Sequence, residues 1–260
     1  MLALDITGTV TDEAGKPVAE AEVMINTAWP KKGQGIRCPS CYIDCGKSAV
    51  TDASGAFKIA DVSEELGFGL LVAKAGFAPK KVRAEPPKPV TVKLKPRMVD
   101  LAKAKGVLYG RVLDQEGKPV PNAVVSPDGF GKLGGSVNFG GVKHDKEAVT
   151  DAKGEFTVMV YDEGYLTMNL DVEHRSFAPL QTAQLNFSKD ASDVRELRLT
   201  IGATITGRLL KDGKPLRGIR MGLVTENRAS DGFYRANAIG TDEQGRFSFP
   251  NVPVDRLYQL

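Results

Sequence analysis

The 260-residue sequence predicts an all-β protein that consists of tandem antiparallel β-sandwiches. Two short blocks of sequence each occur three times, at a spacing that suits whole domains. The apolar residues in and after these blocks alternate with polar ones, as they do in half-buried strands. Glycine and proline fall between such stretches, where they end strands and form turns. No segment shows a convincing helical pattern.

The first block contains a glycine, two apolar positions and a polar turn that ends in Gly-Lys-Pro. It reads ITGTVTDEAGKPV from Ile6, LYGRVLDQEGKPV from Leu108 and ITGRLLKDGKPL from Ile205. The first glycines of the three copies are Gly8, Gly110 and Gly207, so the copies lie 102 and 97 residues apart. This period is the size of a whole domain, which indicates tandem domains and not a solenoid.

The second block places a tight turn in front of a strand. It reads AVTDASGAFKI from Ala49, AVTDAKGEFTV from Ala148 and IGTDEQGRFSF from Ile239. In the first copy we expect Asp52 and Gly55 to frame the turn, after which Phe57 and Ile59 return on one face. Further strand-like segments follow, which gives about seven short strands per copy and predicts a two-sheet Greek-key sandwich.

The repeats predict the domain boundaries. Sandwiches are expected over residues 1–96 and 106–201, joined by a linker over 97–105, and an incomplete third sandwich is expected over 202–260. This stretch is the one candidate for a short helical or extended linker. The third copy ends without counterparts of the last two strands, so we expect it to be truncated and completed by further chain or by a partner.

These motifs carry a resemblance to a known family. The pattern Gly-x-Val-x-Asp-x-x-Gly-Lys-Pro-Val, followed by Thr-Asp-x-x-Gly-x-Phe, resembles the carboxypeptidase regulatory-like domain, a transthyretin-like sandwich. The resemblance covers the first two copies and the start of the third. It implies a non-catalytic β-module that lies outside the cytoplasm, since the zinc ligands of the carboxypeptidases belong to a separate domain. Similar sandwiches are grouped with starch-binding-like folds, so the resemblance also raises carbohydrate binding.

Composition excludes several classes of protein. The formal net charge is +3 and no run of Lys and Arg is long enough for a nucleic-acid surface. No stretch approaches the ~18 apolar residues that a membrane span needs. The N-terminal MLALDITGTV lacks the features of a signal peptide, so the expected periplasmic or cell-surface location comes from the resemblance alone.

All three cysteines fall within RCPSCYIDCGK, in the loop between the second and third strands of the first copy. They are Cys38, Cys41 and Cys45. A disulfide that staples the loop suits an extracytoplasmic module. Zinc is an alternative, with Asp44 or a residue from a neighbour as the fourth ligand, because structural zinc takes four ligands. Thiol redox chemistry at Cys-Pro-Ser-Cys is a third interpretation, although no helix N-terminus is predicted there to activate a thiol.

Aromatic residues in the corresponding loops of the three copies are candidates for sugar binding. They are Trp29, Phe130, Phe139, Phe233 and Tyr234. An aromatic face packs well against the apolar face of a sugar ring, but the same rings could instead cap the ends of the cores. The histidines, His144 and His174, are expected to be solvated loop residues. Turn formation explains the repeated Thr-Asp-x-x-Gly better than calcium binding does.

The sequence therefore predicts a non-catalytic structural or interaction module of a larger protein. Its expected partners are other domains of that protein or a separate protein, and possible glycans. A carbohydrate-binding module and a thiol or metal site are the alternatives. No cofactor is expected, apart from zinc at the cysteines.

Overall fold

The computed structural model describes residues 3–32, 44, 47–133, 135–145, 147–225, 237–254 and 257–260. Contacts divide the chain into two units. The first unit comprises Met1–Val72, Lys80–Lys93 and Gly202–Leu260, and the second comprises Ala73–Pro79 and Leu94–Ile201. The third sequence copy thus groups with the first by contacts. This grouping does not test where the copies begin and end, and those boundaries stay a prediction.

The first copy forms a sandwich of two sheets. Its strands are β1 (Ala3–Thr11), β2 (Glu22–Pro30), β3 (Ser48–Val50), β4 (Ala56–Ser63), β5 (Leu66–Ala73), β6 (Phe77–Ala78), β7 (Lys80–Ala84), β8 (Val90–Lys93) and β9 (Lys95–Pro96). One sheet has the order β4-β1-β8 and the other β3-β2-β5-β7, while β6 pairs with β9. The two main sheets together contain the seven strands that the sequence predicts. Ile6, Phe68 and Val92 are fully buried within this copy.

The second copy repeats this plan after a 3-10 turn over Leu101–Lys103. Its strands are β10 (Gly106–Leu113), β11 (Val124–Lys132), β12 (Val137–Asn138), β13 (Ala148–Val149), β14 (Glu155–Val160), β15 (Tyr165–Glu173), β16 (Leu180–Gln181), β17 (Leu185–Asn186) and β18 (Val194–Arg198). One sheet has the order β14-β10-β18, and the other has β12-β11-β15-β16 with β13 on β11 and β17 on β15. Leu108, Met168 and Leu170 are among its core residues.

The third copy has a smaller core. Its strands are β19 (Ala203–Arg208), β20 (Leu210–Lys211), β21 (Lys214–Pro215), β22 (Arg220–Thr225), β23 (Asn237–Gly240), β24 (Arg246–Val252) and β25 (Tyr258–Gln259). The pairings are β19-β24, β20-β21 and β23-β22-β25. Among the described residues, its buried core cluster consists of Leu223, Phe247, Phe249 and Val252. Within the described residues, β19 pairs on one edge only.

The glycine of the first block lies opposite the phenylalanine of the second block in every copy. The register pairs Gly8 with Phe57, Gly110 with Phe156 and Gly207 with Phe247. A Cβ atom added to any of these glycines would overlap the ring of its partner. The aromatic ring therefore packs onto bare backbone, which explains why both blocks recur together.

The threonine and aspartate of the second block organise the turns. In the second copy, Thr150 Oγ1 donates to Val120 O at 2.7 Å and accepts from Ala123 N at 2.8 Å. Asp151 Oδ1 accepts the backbone N–H groups of Lys153 and Glu155 at 2.8 and 2.9 Å. The equivalent bonds recur in the first and third copies. Asp151 thus acts in the tight turn that the sequence predicts.

One pairing differs from the purely antiparallel arrangement that the sequence predicts. The last strand of each of the first two sandwiches runs parallel to the first: β8 beside β1, and β18 beside β10. The reason is topological, because the chain crosses between the sheets before its last strand and returns in the direction of the first. The pairs β1–β4, β2–β3, β5–β7, β6–β9, β10–β14, β11–β12, β11–β13, β11–β15, β15–β16 and β15–β17 are antiparallel.

The helix content is small. In the part of the chain that the structure describes, no helix is long and apolar enough to cross a membrane.

Candidate functional site

The three cysteines, Cys38, Cys41 and Cys45, lie outside the described residues. Asp44, the predicted fourth zinc ligand, is described and is 2% exposed. Its carboxylate forms an ion pair with Lys47 Nζ at 2.7 Å and accepts the Ser63 N–H at 3.0 Å. The described ranges contain no group of three or more His, Cys, Asp or Glu side chains placed to hold a metal ion. Zinc at the cysteines therefore stays a prediction.

Trp29 lies in strand β2 and not in the loop where the sequence places it. Its indole ring packs over Gly67 and Gly69, and a Cβ on Gly67 would come within 2.5 Å of Trp29 Nε1. These glycines alternate along β5 with the fully buried Phe68, so the indole covers the face of the sheet that points away from the core. The guanidinium of Arg83 lies 5.3 Å from the centre of the Trp29 ring, at the distance of a cation–π contact.

The aromatic residues of the second copy separate into two roles. Phe130 lies in β11 and is only 2% exposed, so it belongs to the core and cannot serve as an open sugar platform. It stands edge-on to Tyr165, with 6.0 Å between ring centres. Phe139, after β12, is 71% exposed and is available at the surface. The other two predicted platform residues, Phe233 and Tyr234, lie outside the described residues.

Polar groups surround the exposed Phe139. An ideal Cβ on Gly129 would lie 2.9 Å from the Phe139 ring and 3.0 Å from Asn169 Nδ2. The buried oxygens of Asn169 and Thr167 have no hydrogen-bond partner within the described structure. Nearby, Asn138 Nδ2 donates to Tyr165 Oη at 2.9 Å. An aromatic ring beside amide and hydroxyl groups can contact a neutral polar ligand, but this surface is not a cavity that would enclose one.

The two histidines contact aromatic rings and backbone atoms. The ring of His144 lies 4.7 Å from that of Phe130. The ring of His174 lies 5.2 Å from that of Phe177, and its Nδ1 accepts the Ser176 N–H at 3.2 Å. Burial, with a smaller contribution from the charge of Arg175, lowers the pKa of His174 to about 4. His174 is thus a partly buried, neutral side chain, unlike the solvated histidine that the sequence predicts.

A partly buried ion pair between Arg97 and Asp145 lies at the start of the predicted linker. Arg97 donates to Asp145 Oδ2 at 2.8 Å and to Thr157 O at 2.6 Å. Tyr161 Oη donates to Asp145 Oδ1 at 2.8 Å, and Met159 N donates to Oδ2 at 3.1 Å. Burial and the bond to Asp145 raise the pKa of Tyr161 to about 12. These contacts anchor the segment before β10. Sequence reasoning missed them, because nothing local links Arg97 to a residue 48 positions away.

The first contact unit contains an open cavity of about 730 Å³. It is lined by Pro30, Lys31, Lys32, Asp44, Ser63, Glu64, Glu65, Leu66, Arg217, Gly218, Gly240, Thr241, Asp242, Glu243, Arg246, Phe247 and Ser248. Several of its charges are already paired: Arg217 contacts Glu243 at 3.1 Å, and Arg246 contacts Asp242 at 2.8 Å. Because charges of both signs alternate around the cavity, it shows no preference for an anion or a cation.

Comparisons with known proteins do not identify a family. No protein-family model matches the chain, and a search of characterised proteins gave no match. Among solved structures, the chain is similar to a streptococcal ancillary pilin, with 12% identity and a TM-score of 0.26 over 77% of this chain and 63% of that one. It is similar to the Bacillus anthracis TIE protein, with 12% identity and a TM-score of 0.25 over 95% of this chain and 43% of that one.

A third similar structure is BcpA, the major pilin subunit of Bacillus cereus, with 11% identity and a TM-score of 0.23 over 97% of this chain and 85% of that one. The chain therefore spans less than two thirds of the first two of these proteins. With scores this low, the likeness carries no argument about function, and the all-β assignment rests on the strand pairing described above.

Proposed function

We propose that this chain is a non-catalytic structural and interaction module of a larger, extracytoplasmic protein. The observation that supports this is the use of the shared motif. The residues common to the copies act in strand pairing and turns: glycine under phenylalanine, threonine bridging two backbone groups, and aspartate accepting N–H groups. What recurs is thus a framework, while the segments between the blocks differ from copy to copy. The extracytoplasmic location is supported by the resemblance to carboxypeptidase regulatory-like domains.

The alternatives predict different chemistry, so one set of measurements separates them. We expect elemental analysis of the purified chain to find no stoichiometric zinc, and thiol titration to find a disulfide among the three cysteines. Stoichiometric zinc that is lost in Cys41→Ser would overturn the proposal in favour of a metal site. Catalytic thiol–disulfide exchange that is lost in the same variant would favour a redox site.

Carbohydrate binding is tested separately with a glycan array. Phe139→Ala is the informative variant, because this ring is exposed, and Phe130→Ala is unsuitable, because that ring is part of the core. Trp29→Ala tests the ring in β2. We expect no glycan signal that depends on Phe139 or Trp29. A signal that disappears in Phe139→Ala or Trp29→Ala, while the thermal unfolding curve is unchanged, would make the chain a carbohydrate-binding module.

The third copy offers a surface for an interaction partner. In the first two copies, the first strand lies between two neighbours: β1 between β4 and β8, and β10 between β14 and β18. In the third copy, β19 pairs with β24 on one side and has no strand on its other side within the described residues. The positions that match Ile6 and Leu108, which are 0% and 1% exposed, are filled in the third copy by the only half-buried Ile205. We propose that this edge accepts an extended segment, from further chain or from a partner, which is added parallel to β19 and carries apolar residues at alternate positions.

A peptide with the sequence of residues 88–95, KPVTVKLK, serves as the probe. Val90, Val92 and Leu94 of this segment are 9%, 0% and 0% exposed in their own sandwich, so they are the residues that would enter the open core. We expect the labelled peptide to bind the chain and to shift the amide resonances of β19, and a peptide with serine at these three positions not to bind. Equal binding of both peptides, or self-association of the chain in place of peptide binding, would contradict the proposal.

A further inference from the structure

The first and last strands of the first two sandwiches are direct neighbours and run in the same direction. In the first copy, the register joins Gly8 to Val90 and Thr11 to Lys93. In the second copy, five pairs run from Tyr109 opposite Val194 to Leu113 opposite Arg198. The chain therefore enters each sandwich at one end of the paired stretch and leaves it at the other end.

This arrangement determines how a pulling force would act. A force on the two ends of the second copy draws β10 back along its own axis and β18 forward along the same axis. All five pairs then bear the load together, because the force lies along the strands and the backbone hydrogen bonds run across them. If the last strand were antiparallel to the first, both ends would leave at the same side and the pairs would open one at a time.

Packing adds resistance to the sliding of these strands. Strand β10 is the central strand of its sheet, so it is also held by six register pairs with β14. Leu197 and Leu199, in and just after β18, are 6% and 1% exposed and would leave the core if this strand moved. In the first copy, a side chain on Gly8 would overlap the carbonyl oxygen of Val90, so glycine permits the close approach of β8 to β1.

We propose that the first two sandwiches resist tension along the chain, with the parallel pairs β1–β8 and β10–β18 acting as clamps that must be sheared before either sandwich unfolds. This inference rests on the proposed structural function and gives it a specific task, the transmission of force between the parts of the protein on either side.

Single-molecule force spectroscopy tests the clamp through the direction of pulling. In one variant of the full chain, handles are attached through unnatural amino acids at the exposed positions Ala102 and Thr200, at opposite ends of the β10–β18 pair. In the matched variant, they are attached at the exposed Gln115 and at Thr200, which lie at the same end. The two variants differ only in the position of one handle. Equal thermal unfolding curves, measured before pulling, show that the handles leave the stability of the sandwich unchanged.

We expect the second sandwich to unfold at a force about twofold higher when it is pulled through Ala102 and Thr200 than when it is pulled through Gln115 and Thr200. In the first direction the five register pairs rupture together, and in the second they rupture one at a time. The unfolding event is recognised by a length gain of about 300 Å, the extended length of roughly 98 residues less the folded span. Equal forces in the two directions, or a lower force for Ala102–Thr200, would overturn the inference. That result would leave the proposed structural function in place, because only zinc, thiol or glycan chemistry contradicts it.

Discussion

Replacement of Thr150 by valine tests the role of the repeated threonine. The side chain is 0% exposed, and its hydroxyl bridges Val120 O and Ala123 N. Thr150→Val preserves the shape of the side chain and leaves both backbone groups buried without this partner. Each orphaned group costs about 1–3 kcal/mol, so we expect the free energy of unfolding to fall by about 2–5 kcal/mol. For a domain of this size, that lowers the melting temperature by about 10–30 °C.

The same repeat provides a matched control. Thr167 Oγ1 is also buried, but no hydrogen-bond partner is present for it within the described structure. Thr167→Val removes a buried hydroxyl that forms no hydrogen bond with the described residues, so we expect unchanged or slightly increased stability. Differential scanning calorimetry of the two variants beside the unmodified chain gives the comparison. If Thr150→Val left the transition unshifted, or if both variants lost the same stability, the bridging role of the threonine would be refuted.

Three further predictions concern the second copy. Gly110→Ala forces a Cβ into the Phe156 ring and should lower the free energy of unfolding, measured with denaturant, by about 1–3 kcal/mol. Gly140→Ala is the control: its Cβ would meet open space, so stability should change by less than about 0.5 kcal/mol. His174 stays neutral in the folded state down to pH of about 4. The unfolded chain takes up a proton below its usual pKa of ~6.5, and solvent screening of this partly exposed ring weakens the effect. We therefore expect about 1–2 kcal/mol of stability to be lost as pH falls from ~6.5 to ~4, and His174→Gln should abolish that loss. Arg97→Met leaves the partly buried carboxylate of Asp145 without its cation, and should lower the free energy of unfolding by about 1.5–3 kcal/mol. An unchanged unfolding transition would show that the pair does not anchor this segment.

The sequence predicted those parts of the fold that depend on neighbours along the chain. The turn at Asp151 forms because its carboxylate accepts N–H groups only two and four residues away. Positive φ at Gly154 completes the turn, and its value of 73° favours glycine. Such short-range chemistry can be inferred from the printed residues, and the three copies repeat it.

The features that the sequence did not predict depend on distant partners. The parallel pairing of β8 with β1, and of β18 with β10, depends on which edge of the sheet stays free after the earlier strands have paired. The sequence placed Phe130 in a loop, because three of its neighbours are Gly129, Gly131 and Asp128. The structure continues β11 through these glycines, with register shifts that turn the ring into the core. Because these register shifts change which side chains face the core, the alternation of apolar and polar residues alone does not predict whether Phe130 is buried.

The central claim is that each copy is built on a glycine covered by the phenylalanine ring of the neighbouring strand. Nuclear magnetic resonance tests this directly through the α protons of Gly8, Gly110 and Gly207. If the rings cover the glycines, we expect upfield ring-current shifts of these α protons. We also expect nuclear Overhauser contacts from each glycine to the ring opposite it, at Phe57, Phe156 and Phe247. Glycine α protons at ordinary shifts, without contacts to these rings, would contradict the account.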